Sequence, residues 1–282
     1  MKILVKNVIR WGSYPIIFGS CAAMQLYIAN SSLPYWPFSP IVVMAGIIFV
    51  ALLERIEPYE NEWLEDHDDT LVDVFHAFAS LTLIFTSMEI VAITKIWLPT
   101  MGVWPNDWAV WLQVACAALF IDLGLWVMHW LSHKNGFLWR LHALHHSSER
   151  LYWLNGERRH PLSALALALP GIVVVVILGA PPFIIACWLS IVAVHLSFQH
   201  ANLDYSVGPF RKLLAVAEVH RWHHKREYKD AQVNYGEFFV IWDHIFGTYR
   251  HQVNGVRAGE VGMDEETPLK YFDQIKWPFL NK

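Results

Sequence analysis

Six long apolar stretches limit what this chain can fold into more than any other feature of its sequence. A helix needs about 20 mostly apolar residues to cross a bilayer. The second, fifth and sixth stretches fall slightly short of that length, so these helices are expected to tilt or to dip into one leaflet. We therefore predict an all-α fold, an integral membrane bundle of about six helices. The stretches lie near residues 14–30, 38–53, 71–97, 104–130, 163–180 and 182–199.

The composition also indicates a membrane protein. Of the 282 residues, 55% are hydrophobic and 16% are charged, whereas soluble domains carry about 25% charged residues. The 15 tryptophans fit the same class, because tryptophan concentrates at the bilayer interface. The net charge of −4 is small and mixed, which argues against nucleic acid as a partner. The three cysteines lie in apolar segments and are expected to be buried thiols: Cys21, Cys116 and Cys187.

The distribution of basic residues predicts the topology. The segments 31–37 and 98–108 contain no Lys or Arg, and neither does the turn 179–182, which joins the fifth and sixth stretches as a hairpin. The positive-inside rule assigns the basic segments to the cytoplasm. Six crossings then leave both termini, 54–70 and 131–162 inside, and the first stretch is an uncleaved membrane helix rather than a signal peptide. The basic residues form three sets: Lys2, Lys6 and Arg10; Lys134, Arg140, Arg150, Arg158 and Arg159; and Arg211, Lys212, Arg221, Lys225, Arg226 and Lys229.

No convincing boundary separates independent domains. We divide the single structural domain into N-terminal membrane helices at 1–110, a histidine-rich catalytic region at 111–251 that includes further membrane helices, and a C-terminal tail at 252–282. The acidic stretch from Glu54 to Asp69 is expected to be a solvated loop.

Ten histidines form four tight groups, each at the mouth of an apolar stretch. On a helix, residues three and four apart share one face, so an H-x2-H-H run points three imidazoles in the same direction. Two such runs and two spaced pairs offer more nitrogen ligands than one metal ion accepts, which indicates a two-metal site. The predicted topology brings all four groups together as a cytoplasmic, histidine-rich cap. The groups are His129 and His133; His142, His145 and His146; His195 and His200; and His220, His223 and His224.

The type of ligand narrows the chemistry. Imidazole suits zinc, copper and iron among the common metals. A structural zinc site closes at four ligands and often includes cysteine, and the sequence lacks the H-E-x-x-H motif of zinc hydrolases. Soluble carboxylate-bridged di-iron proteins carry paired Glu-x2-His motifs, of which this chain has one, Glu157 to His160. None of these designs accounts for ten histidines.

The order H-x3-H, H-x2-H-H, H-x2-H-H in a membrane protein of this size resembles the fatty acid hydroxylase/sterol desaturase superfamily. The resemblance covers roughly residues 115–250, and the first 110 residues carry little of it. It includes the lead-in Asp122-x3-Trp126-x2-His129, the run from Leu141 to Ser148, and the closing run from Trp242 to Tyr249. His195 and His200 correspond to the family's more variable histidine group.

The resemblance implies a membrane oxygenase that uses two iron ions, O2 and two electrons to hydroxylate or desaturate a lipid C–H bond. Zinc can replace iron in a purified protein of this kind. Breaking such a bond requires a redox metal, which the protein binds and shields from water. The lipid would enter sideways from the bilayer. The electrons would come from a separate cytochrome b5-like or ferredoxin-like protein, docked on the basic segments 134–159 and 211–229.

Asp122 is the candidate for a supporting catalytic role. Positions 122, 126, 129 and 133 share one helical face, and an acid inside a membrane is usually partnered. We expect Asp122 to accept a hydrogen bond from a histidine ligand and to fix its tautomer; the alternative is a plain hydrogen bond between helices.

Two other functions remain as alternatives. A histidine-rich membrane transporter or binding protein for zinc or iron would place its ligands near the bilayer midplane, whereas these histidines lie at helix ends. A haem electron carrier needs about two axial histidines per haem, and ten clustered histidines exceed that. The sequence alone identifies neither the lipid nor the choice between hydroxylation and desaturation.

Overall fold

The computed structural model describes residues 2–252 and 254–280, and the regular secondary structure in these ranges is helical. Isolated bridges replace any strand among the described residues, joining Pro58 to Leu203, Leu214 to Phe239 and Lys225 to Val261. The predicted all-α class is therefore confirmed. The α-helices are α1 (Lys2–Ser13), α2 (Gly19–Ala29), α3 (Tyr35–Ile56), α4 (Thr70–Phe85), α5 (Ser87–Trp97), α6 (Val110–Ser132), α7 (Gly136–His146), α8 (Pro161–Leu178), α9 (Pro182–His200), α10 (Ala217–His220), α11 (Ile241–Phe246) and α12 (Tyr271–Leu280).

Four of these helices, α3, α6, α8 and α9, are long and apolar enough to cross a membrane. The pair α4 and α5 makes a fifth span if its 52° bend is included. Thr82 and Thr86 lie at this bend and donate their hydroxyls to carbonyls four residues earlier, at 2.6 and 2.7 Å, a bond that bends helices. The chain is a multi-pass membrane protein.

The first predicted crossing differs from the others. A π-helical turn at Tyr14–Phe18 separates α1 from α2, and neither α1 nor α2 reaches the length of a span. The helical path from Lys2 to Ala29 nevertheless lies beside the bundle, since Gln25 donates to the Ser39 carbonyl of α3 at 3.1 Å.

The predicted hairpin of α8 and α9 holds the centre of the bundle. Gly179 ends α8 in the left-handed conformation, with φ 105°, and Pro182 begins α9 two residues after the turn. Nearly every side chain of α9 is buried. Helices α6 and α8 pack so closely that a Cβ added to Gly124 would lie 2.6 Å from the Cα of Gly171.

The helix ends lie at two opposite ends of the bundle. At one end Lys6 pairs with Glu57 at 2.6 Å, and α6 and α9 reach this end with His129 and His200 in their last turns. At the other end Lys95 donates to the carbonyl of Ala180 at 2.9 Å. We call the first the histidine end, and all four histidine groups lie at or near it.

Buried ion pairs tie the histidine end together. Arg150 contacts Asp69 at 2.6 Å and Arg158 contacts Asp73 at 2.5 Å. Glu54 is buried and accepts the backbone N–H of Trp153 at 3.1 Å. The prediction of a solvated acidic loop at 54–69 is therefore wrong at Glu54 and Asp69. Four of the basic residues used for the topology are also buried rather than facing water: Arg150, Arg158, Arg159 and Arg221.

The tail folds back onto the bundle. The amide oxygen of Gln274 on α12 accepts from the His76 ring of α4 at 2.8 Å, and the His160 ring contacts the Ile275 carbonyl at 3.1 Å. Met1, Val253, Asn281 and Lys282 lie outside the described residues, so part of the predicted 252–282 tail does as well.

Candidate metal centre

Short connections bring the histidines of α6 and α7 to one place. His129 lies in the last turn of α6 and His133 follows its end. Only three residues separate α6 from α7, and the side chain of the last of them, Asn135, caps α7 by accepting the N–H groups of Phe137 and Leu138 at 3.0 and 3.1 Å. Three histidines then occupy the last two turns of α7: His142, His145 and His146.

The remaining ligand candidates come from the end of α9, from α10 and from the turns that follow α10. His200 ends α9 and His220 ends the short helix α10. A series of turns follows α10, so that His223 and His224 face the same interior as His220. All ten predicted histidines are buried, each at most 2% exposed.

Nine of the ten predicted histidines gather in two groups. In each group every side chain offers one ring nitrogen that lies within 4.8 Å of the others. The five-histidine group consists of His129, His133, His142, His146 and His223, and the four-histidine group consists of His145, His200, His220 and His224.

The two groups are in direct contact. The rings of His146 and His224 stack with centroids 4.5 Å apart. The ring centroids of His142 and His145 are 5.3 Å apart. Neighbouring residues of each H-x2-H-H run thus serve different groups, and the groups form one compact centre with two compartments.

The nitrogen positions fit metal ions. Two imidazoles bound about 2.1 Å from one ion, at angles of 90–110°, have nitrogens about 2.9–3.4 Å apart. The Nε2 atoms of His142 and His146 are 3.2 Å apart, and Nε2 of His220 lies 3.1 Å from that of His200 and 3.0 Å from that of His224.

Unpaired ring nitrogens point to the same conclusion. Buried polar atoms normally have hydrogen-bond partners. Within the described residues, Nε2 of His129, His133 and His223 has none, and neither ring nitrogen of His145 has one. A metal ion in each compartment would bind one nitrogen of each of these rings.

Hydrogen bonds on the outer nitrogens orient the rings. His129 Nδ1 lies 2.8 Å from the Tyr235 carbonyl, and His223 Nδ1 lies 2.8 Å from the Val233 carbonyl. Each ring therefore donates from Nδ1 and presents Nε2 to the centre, which is how proteins fix the tautomer of a metal ligand.

The imidazoles outside the membrane helices are suited to metal binding. Burial, followed by the positive charge of neighbouring histidines, lowers the pKa of His142, His146 and His224 well below the usual range. The rings are neutral at neutral pH, and neutral imidazole is the form that binds a metal.

His195 lies outside both groups. Its Nδ1 is 2.8 Å from the Tyr14 hydroxyl, and its ring packs against Phe238 with centroids 4.4 Å apart. His195 and His200 are five residues apart on α9, so their side chains point about 140° away from each other. The structure therefore does not bring His195 to the centre.

Asp122 supports the site differently from the prediction. Its carboxylate accepts the backbone N–H of Phe238 at 3.0 Å and the indole N–H of Trp242 at 3.0 Å. No histidine contacts it among the described residues, and the expected tautomer contact is absent there. Asp122 instead anchors the segment that carries Tyr235 and Glu237.

Three residues near the centre were not predicted from the sequence. Asn155 lies 3.1 Å from His200 Nδ1, and Gln232 lies 3.1 Å from His133 Nδ1. The Glu237 carboxylate lies 3.3 Å from His129 Nδ1 and pairs with Arg159 at 3.1 Å. Asn155 lies in a short 3₁₀ helix, Trp153–Glu157, and the other two lie in irregular segments, so periodicity gives no signal for any of them.

An apolar cavity adjoins the centre. It is lined by side chains of α4, α5, α6, α8 and α9, and it includes Leu125, one turn before His129. Among the described residues that line it, three are charged: Glu157, Arg159 and Glu237. The centre thus has an apolar approach from within the membrane helices.

The comparisons with known proteins show which family the chain resembles. The model of the Fatty acid hydroxylase family matches residues 114–248. The chain is 30% identical to ornithine lipid hydroxylase OlsE of Rhizobium tropici over 253 residues, which cover 86% of the chain and 76% of that relative. No solved structure matches the chain significantly.

Alkylglycerol monooxygenases are also similar. The Homo sapiens protein is 29% identical over 237 residues, and the Danio rerio protein is 29% identical over 201 residues. The matched regions cover 75% and 63% of this chain but 46% and 39% of those relatives, so the chain spans less than half of their length.

Proposed function

Because the chain belongs to the fatty acid hydroxylase family and is a membrane oxidoreductase that acts on lipids, we propose that it hydroxylates a lipid C–H bond at two iron ions. The five-histidine group would hold one ion and the four-histidine group the other. The observation that carries this proposal is the convergence of nine buried histidines in two adjoining groups. Several of their ring nitrogens have no partner in the described part of the chain, and others face only a second imidazole.

The proposed reaction consumes one O2, two electrons and two protons. One oxygen atom enters the C–H bond as a hydroxyl group and the other leaves as water. Iron supplies the activation of O2, which side-chain acid–base chemistry does not provide. The chain itself would bind the ions, orient the histidine rings through the Tyr235 and Val233 carbonyls, and exclude bulk water from the centre.

The relatives favour hydroxylation over desaturation. Those named above are described as a lipid hydroxylase and as alkylglycerol monooxygenases. A metal transporter is less consistent with this arrangement. The nine buried histidines lie at one end of the bundle beside an apolar cavity, whereas a transporter needs ligands along a path across the membrane.

The substrate would bind in the apolar cavity between α4, α5, α6, α8 and α9. An acyl or alkyl chain matches its lining of aliphatic side chains. It would enter sideways from the bilayer, since the α5 and α8 residues that line the cavity belong to membrane helices.

A separate protein would deliver the electrons at the surface above His146. This histidine of the five-histidine group lines a surface depression with Trp139, Lys225, Arg226 and Tyr228. The Trp139 and His146 rings have centroids 5.4 Å apart. A donor docked there would contact the metal centre through a ligand, His146, and the depression carries both basic and acidic side chains, including Glu227, Asp264 and Glu265.

An isotope experiment tests the proposed function. The purified chain in lipid nanodiscs, supplied with iron, a reductant and ¹⁸O2, should place one ¹⁸O atom in each oxidised lipid. The His145→Ala variant should give none, because both ring nitrogens of His145 lack other partners within the described chain. Product oxygen derived from labelled water instead of O2 would contradict the proposal.

A further inference from the structure

Three ionisable side chains lie at the end of the apolar cavity that adjoins the histidine end of the bundle, and none of them is one of the proposed metal ligands. We call this end of the cavity its charged end. Glu157, Arg159 and Glu237 are each more than nine-tenths buried, and all three line the cavity. Charged groups in an apolar cavity are costly unless something pairs with them. Two carboxyl groups face one guanidinium, so the acidic groups outnumber the basic ones at this end of the cavity.

One carboxylate oxygen of this group is left without a donor. Glu237 Oε2 accepts from Arg159 Nη2 at 3.1 Å, while Arg159 Nε donates to the Gly156 carbonyl at 3.0 Å. Glu237 Oε1 is buried without a hydrogen-bond partner in the described part of the chain. It lies 3.3 Å from His129 Nδ1, but that nitrogen lies 2.8 Å from the Tyr235 carbonyl.

The charged residues lie at one end of a cavity that runs along the membrane helices. The cavity lining runs along α8 from Ala164 to Val176, a rise of about 18 Å. The charged end adjoins His129 at the histidine end of the bundle. The other end, near Thr94 and Val176, is apolar and lies towards the opposite membrane surface.

We propose that the charged end of the cavity binds a hydrogen-bond donor in the head region of the lipid, namely a hydroxyl, amide or ammonium group, so that the enzyme oxidises a carbon close to the head group. The hydrocarbon chain occupies the rest of the cavity. This inference rests on the lipid hydroxylase function proposed above.

The opposite orientation conflicts with the lining. Oxidation at mid-chain or at the terminal methyl would bring hydrocarbon to Glu237 and leave its free oxygen unpaired. It would also push the polar head into the apolar half of the cavity or out through its walls. Binding with the head at the histidine end avoids both costs and keeps the head group near the membrane surface.

A binding comparison tests the proposal without turnover. The probes are 1-O-hexadecylglycerol, which has two hydroxyl donors, its dimethyl ether, which has none, and hexadecylammonium. The metal-loaded chain in nanodiscs, without reductant, should bind 1-O-hexadecylglycerol at least about 10-fold more tightly than the dimethyl ether, because a hydrogen bond to a buried charged acceptor is involved. Tighter binding of hexadecylammonium than of the alkylglycerol would identify the donor as cationic.

Variants locate the effect. Glu237→Gln should reduce the discrimination between the alkylglycerol and its ether several-fold, and Glu157→Gln provides the same test at a residue that does not approach His129. Metal content is measured for both, so that a loss of metal is recognised separately. Val173→Phe, towards the apolar end of the cavity, is the matched control and should weaken the two probes equally.

The outcomes separate this proposal from the proposed function. Equal affinity for the alkylglycerol and its ether, or unchanged discrimination in both glutamate variants, would overturn the head-group proposal. So would a product with oxygen at mid-chain, although that result would support the lipid hydroxylase. Absence of any O2-dependent lipid oxidation would instead contradict the proposed function, while the binding result would still stand.

Discussion

At the scale of single residues, His195 and His200 differ sharply although they lie five positions apart on α9. His200 belongs to the four-histidine group, and its Nε2 lies 3.1 Å from that of His220. His195 instead contacts the Tyr14 hydroxyl and the ring of Phe238. The x4 spacing of this pair places the two rings on different faces of the helix, whereas spacings of three and four residues keep rings together.

The contrast between these two histidines gives the first prediction. His200→Ala should reduce the iron content and abolish lipid oxidation, because it removes one of four imidazoles from a compartment. His195→Ala should retain the iron content of the unmodified protein. Iron analysis of both purified variants makes the comparison, and equal iron loss in the two would show that His195 binds metal as well.

Asp122 supports the second prediction. Asp122→Asn should lower the melting temperature. The carboxylate now accepts hydrogen bonds from three N–H groups, and the amide NH₂ of asparagine would face at least one of them without being able to accept. The three donors are Phe238 N, Phe239 N and Trp242 Nε1. The loss of such a bond to a buried charge costs about 1–3 kcal/mol. Asp107→Asn, in an exposed loop, is the control. An unchanged melting temperature in Asp122→Asn would contradict the anchoring role.

Some site residues were predictable from the sequence and others were not. The two H-x2-H-H runs identify ligands because helical spacing alone places their rings together. Glu237 and Asn155 gave no comparable signal, because an irregular segment and a 3₁₀ helix of five residues, respectively, bring them to the centre. The buried pair of Arg150 with Asp69 joins residues 81 positions apart, and charge distribution alone suggested that both face water.

At the scale of the helices, the apolar stretches predicted α3, α6, α8 and α9 well, since length and hydropathy decide whether a helix can cross a bilayer. The break between α4 and α5 depends on threonine hydroxyls at one turn, and the π-helical turn in the first stretch has no signal in hydropathy. These two breaks in the helices therefore depend on local hydrogen bonds to the backbone, which hydrophobic periodicity does not reveal.

The contact between α6 and α8 gives the third prediction. Gly124→Ala should destabilise the protein by about 1–3 kcal/mol, the usual cost of overpacking, because the added Cβ would lie 2.6 Å from the Gly171 backbone. Gly136→Ala is the matched control, since no atom lies within 4 Å of its added Cβ. Thermal unfolding in detergent compares the two; equal melting temperatures would show that α6 and α8 can separate at no cost.

At the scale of the whole molecule, the bundle gathers the metal centre, the charged end of the cavity and the depression above His146 at one end. The proposed orientation places that end in the cytoplasm, with an electron donor docking from there. Four of the basic residues behind this assignment are buried in ion pairs or bonded to carbonyls. The exposed Lys134 and Lys229 therefore carry much of the charge argument.

Site-directed labelling gives the fourth prediction. Cysteines introduced at the exposed positions Ser32 and Met101, at the opposite end of the bundle, should react with a membrane-impermeant maleimide added to intact cells. Cysteines at Lys134 and Lys229 should react only after the cells are opened. The unmodified chain controls for its own three cysteines. Labelling at position 134 from outside would reverse the proposed orientation.

The central claim is that the nine clustered histidines hold two metal ions in adjoining compartments. The most direct measurement is the metal content of the purified, membrane-embedded chain, determined by mass spectrometry against protein concentration. The account predicts about two iron ions per chain, or about two zinc ions if zinc has replaced iron, and about one in a variant that lacks His220. A content of one ion or fewer in the unmodified protein, after loading with excess iron, would contradict it.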